Sequence, residues 1–153
     1  MDYRIEAKEA FEVLGAVREF NSETAYSEIP KFWREHYESG NDKYICGMFG
    51  ICYNNSMDSK VFSYMIADHY DAGKEISDGY TAKEIPAKTW AVFPIKGAMP
   101  KALQEVNTRI WEEWLPNCRE YEIDGDFDVE MYSDRDTNSE DYYSEIWIPV
   151  RKV

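Results

Sequence analysis

Glu130 and Glu145 are the two acids of this sequence set most clearly among apolar and aromatic neighbours. Both lie within residues 127–150, FDVEMYSDRDTNSEDYYSEIWIPV, where alternation with period two marks two strands joined by a polar loop. In the first, Phe127, Val129 and Met131 alternate with Asp128, Glu130 and Tyr132; in the second, Ser144, Ile146, Ile148 and Val150 alternate with Tyr143, Glu145 and Trp147. With both apolar faces turned toward covering helices, Glu130, Tyr132, Tyr143, Glu145 and Trp147 all share the opposite face. Carboxylates among rings suit a flat organic cation, because the ring quadrupole attracts the cation and the acid supplies its counter-charge. An apolar setting would also raise the pKa of Glu145 and make it a hydrogen-bond donor.

Other chemistries find less support. Asp134, Asp136, Asn138 and Glu145 fall at positions 1, 3, 5 and 12 of a calcium-loop pattern, but Ser139 replaces its turn glycine and strands flank it. The stretch reads instead as a solvated hairpin loop. His36 and His69 stand alone, and Cys46, Cys52 and Cys118 lack metal-ligand spacing, so no metal and no cofactor is assigned. Phosphate-loop and nucleophile-elbow motifs are absent, and no catalytic residue is named.

The elements that must position the two acids read as a duplication. Residues 9–20 form a first strand; residues 26–38 carry Ile29, Phe32, Trp33, His36 and Tyr37 on one helical stripe, with Pro30 in the first turn. Strands over 44–53 and 61–69 follow, joined by a turn over 54–60. After a polar connection near 71–78 the order repeats: a strand over 85–96 containing Trp90, a helix opening at Pro100 and stopped by Pro116, then the Glu130 and Glu145 strands. Trp33, Trp111 and Trp114 lie on helical stripes and read as core. Ala7-Lys8-Glu9 echoes Ala82-Lys83-Glu84, and Phe62-Ser63-Tyr64 matches Tyr143-Ser144-Glu145, which sets Tyr64 against Glu145 and Ile51 against Glu130. The expected fold is therefore α+β: two pseudo-symmetric strand-helix-strand-strand repeats, about 1–72 and 79–153, in one domain spanning 1–153. They form an antiparallel sheet with helices on one side and a ligand groove on the other. The first half offers Tyr53, Phe62 and Tyr64 to that groove.

The 153 residues allow one sizeable core, and aromatics reach 16%, with 12 Tyr and 5 Trp, a surplus suited to a ring-lined cavity. Against 17 basic residues stand 30 acidic ones, a net charge of −13 that chiefly serves solubility and repels nucleic-acid phosphates. No direct nucleic-acid binding is expected. Without a secretory leader or a bilayer-length apolar run, a cytoplasmic location and no membrane association are expected.

Residues 84–116, EIPAKTWAVFPIKGAMPKALQEVNTRIWEEWLP, followed by FDVEMY and YYSEIWIPV and preceded by IPKFWREHYESG and FSYMIAD, resemble the GyrI-like small-molecule-binding domain. That domain is also the effector-binding half of AraC-type and multidrug-sensing bacterial transcription regulators. The resemblance implies a pseudo-symmetric α+β fold whose cavity binds lipophilic, often cationic compounds at a buried glutamate among rings. Position by position it points to Glu130, Tyr132 and Trp90, with Glu145 and Trp147 facing the same pocket. Regulators of this family add a helix-turn-helix module, whereas this chain begins at the ligand domain, so it reads as a stand-alone binder or an effector domain.

The function expected is thus small-molecule binding, with Glu130, Glu145, Trp90, Trp147, Tyr64, Tyr132, Tyr53, Phe62 and Tyr143 as ligand residues and a hydrophobic or cationic organic ligand as partner. Two alternatives stand beside it. One is a hydrolase of strained, electrophilic rings, using Glu130 or Glu145 with Tyr64 or Tyr132 as acid and base. The other is a gyrase-inhibitor-like module whose acidic surface binds a separate protein partner.

Overall fold

The computed structural model describes residues 1–54, 60–71 and 73–153, so most of the turn expected over 54–60 lies outside the described residues. The first half contains β1 (Arg4–Lys8), β2 (Phe11–Asn21), α1 (Ala25–Glu38), β3 (Phe49–Tyr53) and β4 (Val61–His69). In the second half β5 (Thr81–Ile85) and β6 (Lys88–Lys96) lead into α2 (Lys101–Arg109), which continues through a π-helical turn (Ile110–Trp114) into α3 (Leu115–Asn117). β7 (Tyr121–Ile123), β8 (Asp128–Tyr132) and β9 (Tyr143–Lys152) complete it. The strand-helix-strand-strand order is present in both halves. Each half also opens with a short strand, β1 or β5, whose mostly exposed side chains give no apolar alternation to read.

The stripe expected on α1 is the one buried, but the helix begins at Ala25, so Pro30 stands in its second turn rather than its first. Proline has no N–H to give the carbonyl four residues back. That carbonyl, Tyr26 O, instead accepts from Gln104 Nε2 of α2 at 2.9 Å. Pro116, expected to stop the second helix, lies within α3, which runs one residue past it to Asn117.

All strands pair antiparallel in the order β1-β6-β9-β8-β3-β4-β2-β5, with β7 on β9. Exchange of the two halves leaves this order unchanged, so a pseudo-twofold axis runs between β3 and β8. Matching Arg4–Lys8 to Thr81–Ile85 places that axis at the Gly50–Glu130 pair and carries Tyr64 onto Ser144. The equivalences read from the sequence, Tyr64 with Glu145 and Ile51 with Glu130, are each one residue out of step. A one-residue slip exchanges the faces of a strand, and each of those pairs is indeed divided between the two faces.

Both faces are buried. The rings of Phe11 and Trp147 lie 6.3 Å apart, although β2 and β9 are four strand steps apart, roughly 19 Å across a flat sheet. The sheet therefore curls over its inner face, closing a core of Val13, Phe49, Ile51, Met65, Ile85, Trp90, Val92, Val129 and Trp147. On the outer face α1 packs over Leu14, Phe20, Phe62, Tyr64 and Ile66, while α2 and the π turn pack over Ala91, Phe93, Ile95, Ile146 and Ile148. Each helix covers its own half, and the central strands between them form the floor of a cleft. The groove is thus on the helix side, not the reverse side expected: the reverse face is occupied by its own core.

Candidate ligand-binding cavity

Between α1 and α2 lies a cavity of about 1250 Å³, larger than the usual range for small-molecule sites. Its floor is the outer face of β3 and β8, which presents Cys52, Asp128, Glu130 and Tyr132. Trp33, Tyr37 and Tyr26 of α1, Leu103 and Trp111 of the α2 segment, and Phe62 and Met99 form apolar walls. The π turn that includes Trp111 is a device often found at functional sites, since its extra residue re-aims side chains. Tyr26 ties the helices at one side: its hydroxyl donates to Gln104 O at 3.1 Å and lies 2.8 Å from Thr108 Oγ1.

Glu130 is placed by its neighbours. Tyr132 and Tyr64 hydroxyls both donate to Oε1, at 2.5 and 2.7 Å, and Trp33 Nε1 donates to the Tyr64 oxygen at 2.8 Å. Oε2 has no hydrogen-bond partner among the described residues. Burial pushes the Glu130 carboxyl above the usual carboxylate range, against the pull of the Tyr132 and Tyr64 hydroxyls. The arrangement needs Gly50 opposite: a Cβ there would stand 2.0 Å from the Tyr64 hydroxyl and 2.6 Å from Glu130 Oε1. The pseudo-symmetric partner of the acid is therefore a position emptied to make room for it.

Asp128, one turn of the pleat away on the same face, is 7% exposed. It stands opposite Cys52 across the β3–β8 pair, and its Oδ1 is buried without a hydrogen-bond partner among the described residues. Burial, followed by the charge of Glu130, raises its pKa to about 7. Asp42, Asp126 and Asp134 add to the acidic lining, against Arg34 and Arg135. At the rim Asp68 accepts the amides of Cys46, Gly47 and Met48 at 2.7, 2.8 and 3.0 Å, fixing the loop before β3. Gly47, at φ 93°, lets the Trp33 ring approach where a Cβ would be 2.6 Å from it.

Of the residues singled out from sequence, Glu130, Tyr132 and Phe62 line the cavity, and the fully buried Tyr64 supports Glu130 from behind. Glu145, Tyr143, Trp147, Trp90 and Tyr53 are on the reverse face. Trp90 and Trp147 pack 5.9 Å apart in the inner core, with Tyr53 against it. The register explains the division: Val129 pairs with Trp147 and Glu130 with Ile146, so the apolar side chains of β8 join the Glu145 side of β9 and the two acids face opposite ways. Glu145 accepts from Arg4 Nη2 at 3.0 Å, from Trp147 Nε1 at 2.8 Å and from the Tyr143 hydroxyl. Burial alone would raise its pKa; the Tyr143, Trp147 and Arg4 bonds together hold it below the usual range. It is therefore an ionised acceptor rather than the protonated donor expected.

Sequence reasoning missed Asp128, although the alternation that selected Glu130 also places it on that face. It read Trp33, Trp111 and Trp114 as core, and all three do pack against the outer-face cores, but Trp33 and Trp111 also line the cavity where their helices part over the floor. The hairpin loop expected to be solvated lends Ser133, Asp134, Arg135 and Thr137 to the cavity.

Comparison with known proteins agrees with this fold. The family model of Cass2, the integron-associated effector binding protein, matches residues 4–150. A solved structure of SAV2435 bound to tetraphenylphosphonium is 28% identical, with a TM-score of 0.79, and the match covers 99% of this chain and 94% of that one. A Staphylococcus aureus MU50 protein described as a putative bacterial transcription regulation protein is 27% identical at TM-score 0.77, with 99% of each chain covered. The integron cassette protein VCH_CASS2 from Vibrio cholerae shares the fold at 18% identity and TM-score 0.75, covering 97% of this chain and 95% of that one. No curated protein matches. No helix among the described residues is long and apolar enough to cross a membrane. With the GyrI-like fold, the cavity on its helix face and the family match over nearly the whole length, the chain belongs to the integron-associated effector binding proteins of the Cass2 family, a GyrI-like effector-binding group.

Proposed function

We propose that this chain is a cytoplasmic sensor or sequestering module for lipophilic, cationic aromatic compounds, acting alone or as the effector-binding partner of a DNA-binding protein. The observation that carries this reading is Glu130: an acid on the floor of an aromatic-walled cavity, one oxygen held by two tyrosines and the other free. Desolvation makes such a group costly by itself, and a cationic ligand removes the cost. Trp33, Trp111, Tyr132 and Phe62 would supply ring faces; at ~0.5–2 kcal/mol each the four give ~2–8 kcal/mol, so that together with the charge of Glu130 they bring affinity toward the micromolar range without a ligand-specific motif. Tetraphenylphosphonium, held by a relative of similar fold and 28% identity, is a ligand of this class and supports the reading. In this account Glu145, Tyr143, Trp147, Trp90 and Tyr53 serve the scaffold, Tyr64 holds the acid, and the chain itself, at net charge −13, leaves nucleic acid to a partner.

The test is thermal unfolding and tryptophan fluorescence titration of the wild type and Glu130→Gln with tetraphenylphosphonium and a neutral aromatic of similar size. At a hundredfold excess over Kd the ligand adds about 2.7 kcal/mol of stability. Glu130→Gln is expected to weaken the cation at least about tenfold and to spare the neutral compound. Equal losses for both, or none for either, would reject Glu130 as the counter-charge.

A further inference from the structure

We propose that Asp128 is a second ligand-binding carboxylate in this cavity, and that the site prefers cations carrying N–H donors, such as protonated amines and amidines, over donor-free quaternary cations. This rests on the reading of the cavity as a cation site and sharpens its ligand class.

The observation behind it is an unsatisfied acceptor. Asp128 lines the cavity, is 7% exposed, and keeps Oδ1 buried with no hydrogen-bond partner among the described residues. Buried polar atoms are almost always paired, so an orphaned carboxylate oxygen beside a cavity marks where a donor belongs. Its neighbourhood supplies none: Tyr64 and Tyr132 give their protons to Glu130 Oε1, and Cys52, opposite on β3, makes no hydrogen bond to Oδ1. What the floor presents is thus two acceptors, Glu130 Oε2 and Asp128 Oδ1, with the tyrosine donors already committed.

A quaternary cation answers the charge of this floor but not its hydrogen-bonding capacity. A protonated tertiary amine can place its one N–H on either oxygen. A cation with several N–H groups can serve both, since alternate side chains of one strand stand about 7 Å apart. Sites built to accept a hydrogen bond discriminate strongly against an analogue that lacks the donor, because the analogue leaves the buried acceptor unpaired.

The test uses the purified full chain and two probes that differ by one methyl group: protonated N,N-dimethyl-(naphthylmethyl)amine and the quaternary N,N,N-trimethyl-(naphthylmethyl)ammonium. Isothermal titration of each at pH 8, where Asp128 is ionised, against wild type, Asp128→Asn and Glu130→Gln reads the affinities. In the wild type the tertiary amine is expected to bind at least about tenfold tighter, the effect of one charged hydrogen bond. Asp128→Asn should shrink that ratio severalfold, mainly through the amine, while Glu130→Gln weakens both probes. Asn is isosteric and removes a desolvated acid, so it should fold; Asp128→Ser is the second variant and should give the same shrinkage. A wild type that binds both probes equally overturns the inference whatever the variants do. So does a ratio unchanged in Asp128→Asn and Asp128→Ser. In either case, continued loss of both probes in Glu130→Gln would leave the cation-site reading standing; binding of neither probe to the wild type would overturn both.

Discussion

Glu130 and Glu145 lie on adjacent strands, each beside tyrosine and tryptophan, yet their circumstances are opposite. Glu145 faces the inner core with its acceptors occupied by Arg4, Trp147 and Tyr143. Glu130 faces the cavity with both tyrosine donors on one oxygen and the other unmet. An aromatic neighbourhood therefore does not distinguish a binding acid from a structural one. Which donors converge on the carboxylate does, and that is decided by the register between β8 and β9.

The sharpest way to break the comparison is to remove each acid in turn. Glu145→Ala should cost about 3 kcal/mol, because it strands the buried Trp147 indole N–H and removes a charged partner from Arg4. Glu130→Gln should leave stability within about 1 kcal/mol of wild type, since it exchanges a desolvated charge for a neutral group. Urea unfolding of the two variants beside wild type measures both. A smaller loss in Glu145→Ala than in Glu130→Gln would contradict the assignment of structural and binding roles.

Gly50→Ala comes next, at about 2 kcal/mol, the usual scale for forcing extra volume into a packed site. The added methyl would have to displace the Tyr64 hydroxyl and Glu130 Oε1, 2.0 and 2.6 Å from its position. Stability and cation affinity should therefore fall together, whereas Glu145→Ala should lower stability and leave the affinity of the folded protein unchanged. Chemical denaturation paired with tetraphenylphosphonium titration separates the cases.

The two faces should also respond to pH with opposite signs. On the cavity side Asp128 moves from an ordinary 3.8 to about 7 on folding. The folded protein then holds a proton that the unfolded chain has lost, so this stability is complete below pH ~4 and is lost as pH rises to about 7, at up to about 1.4 kcal/mol per pH unit. Glu145, held below its usual range, contributes stability that is present above that range and lost as pH falls. Unfolding free energies measured from pH 4 to 8 should decline toward neutrality in the wild type. Asp128→Asn should flatten the decline; an unchanged slope would place the titration elsewhere.

How much of this was legible in the sequence follows the same division. The helical stripe on α1, the alternation in β8 and β9, and the repeat are periodic signals, and periodicity reports which residues share a face. It does not report which side of the sheet that face meets when both sides are buried, so Glu130 and Tyr132 were correctly grouped with Asp128 but wrongly grouped with Glu145 and Trp147. The curl that closes the inner core depends on contacts between strands as distant in sequence as those of Phe11 and Trp147, which no local pattern encodes. The cavity side of Trp33 and Trp111 was missed for a related reason: a stripe shows that a residue faces the sheet and packs there, not that the helices have parted above it.

The smallest effect tests how Glu130 is held. Tyr64→Phe removes one of two donors to Oε1 and takes from Trp33 Nε1 the acceptor it uses at 2.8 Å. The stability loss should be about 1 kcal/mol, one ordinary hydrogen bond. The consequence for binding is more specific. The Tyr64 hydroxyl is one of two groups that lower the Glu130 pKa against the effect of burial, so without it the acid holds its proton to higher pH and meets a cation as a neutral group more often. Tetraphenylphosphonium affinity should fall a few-fold in the variant and recover toward wild type as pH is raised, because the higher pH ionises Glu130 without that donor. A loss that does not change with pH would mean that Tyr64 shapes the cavity by its bulk and that Tyr132 alone sets the charge of the acid.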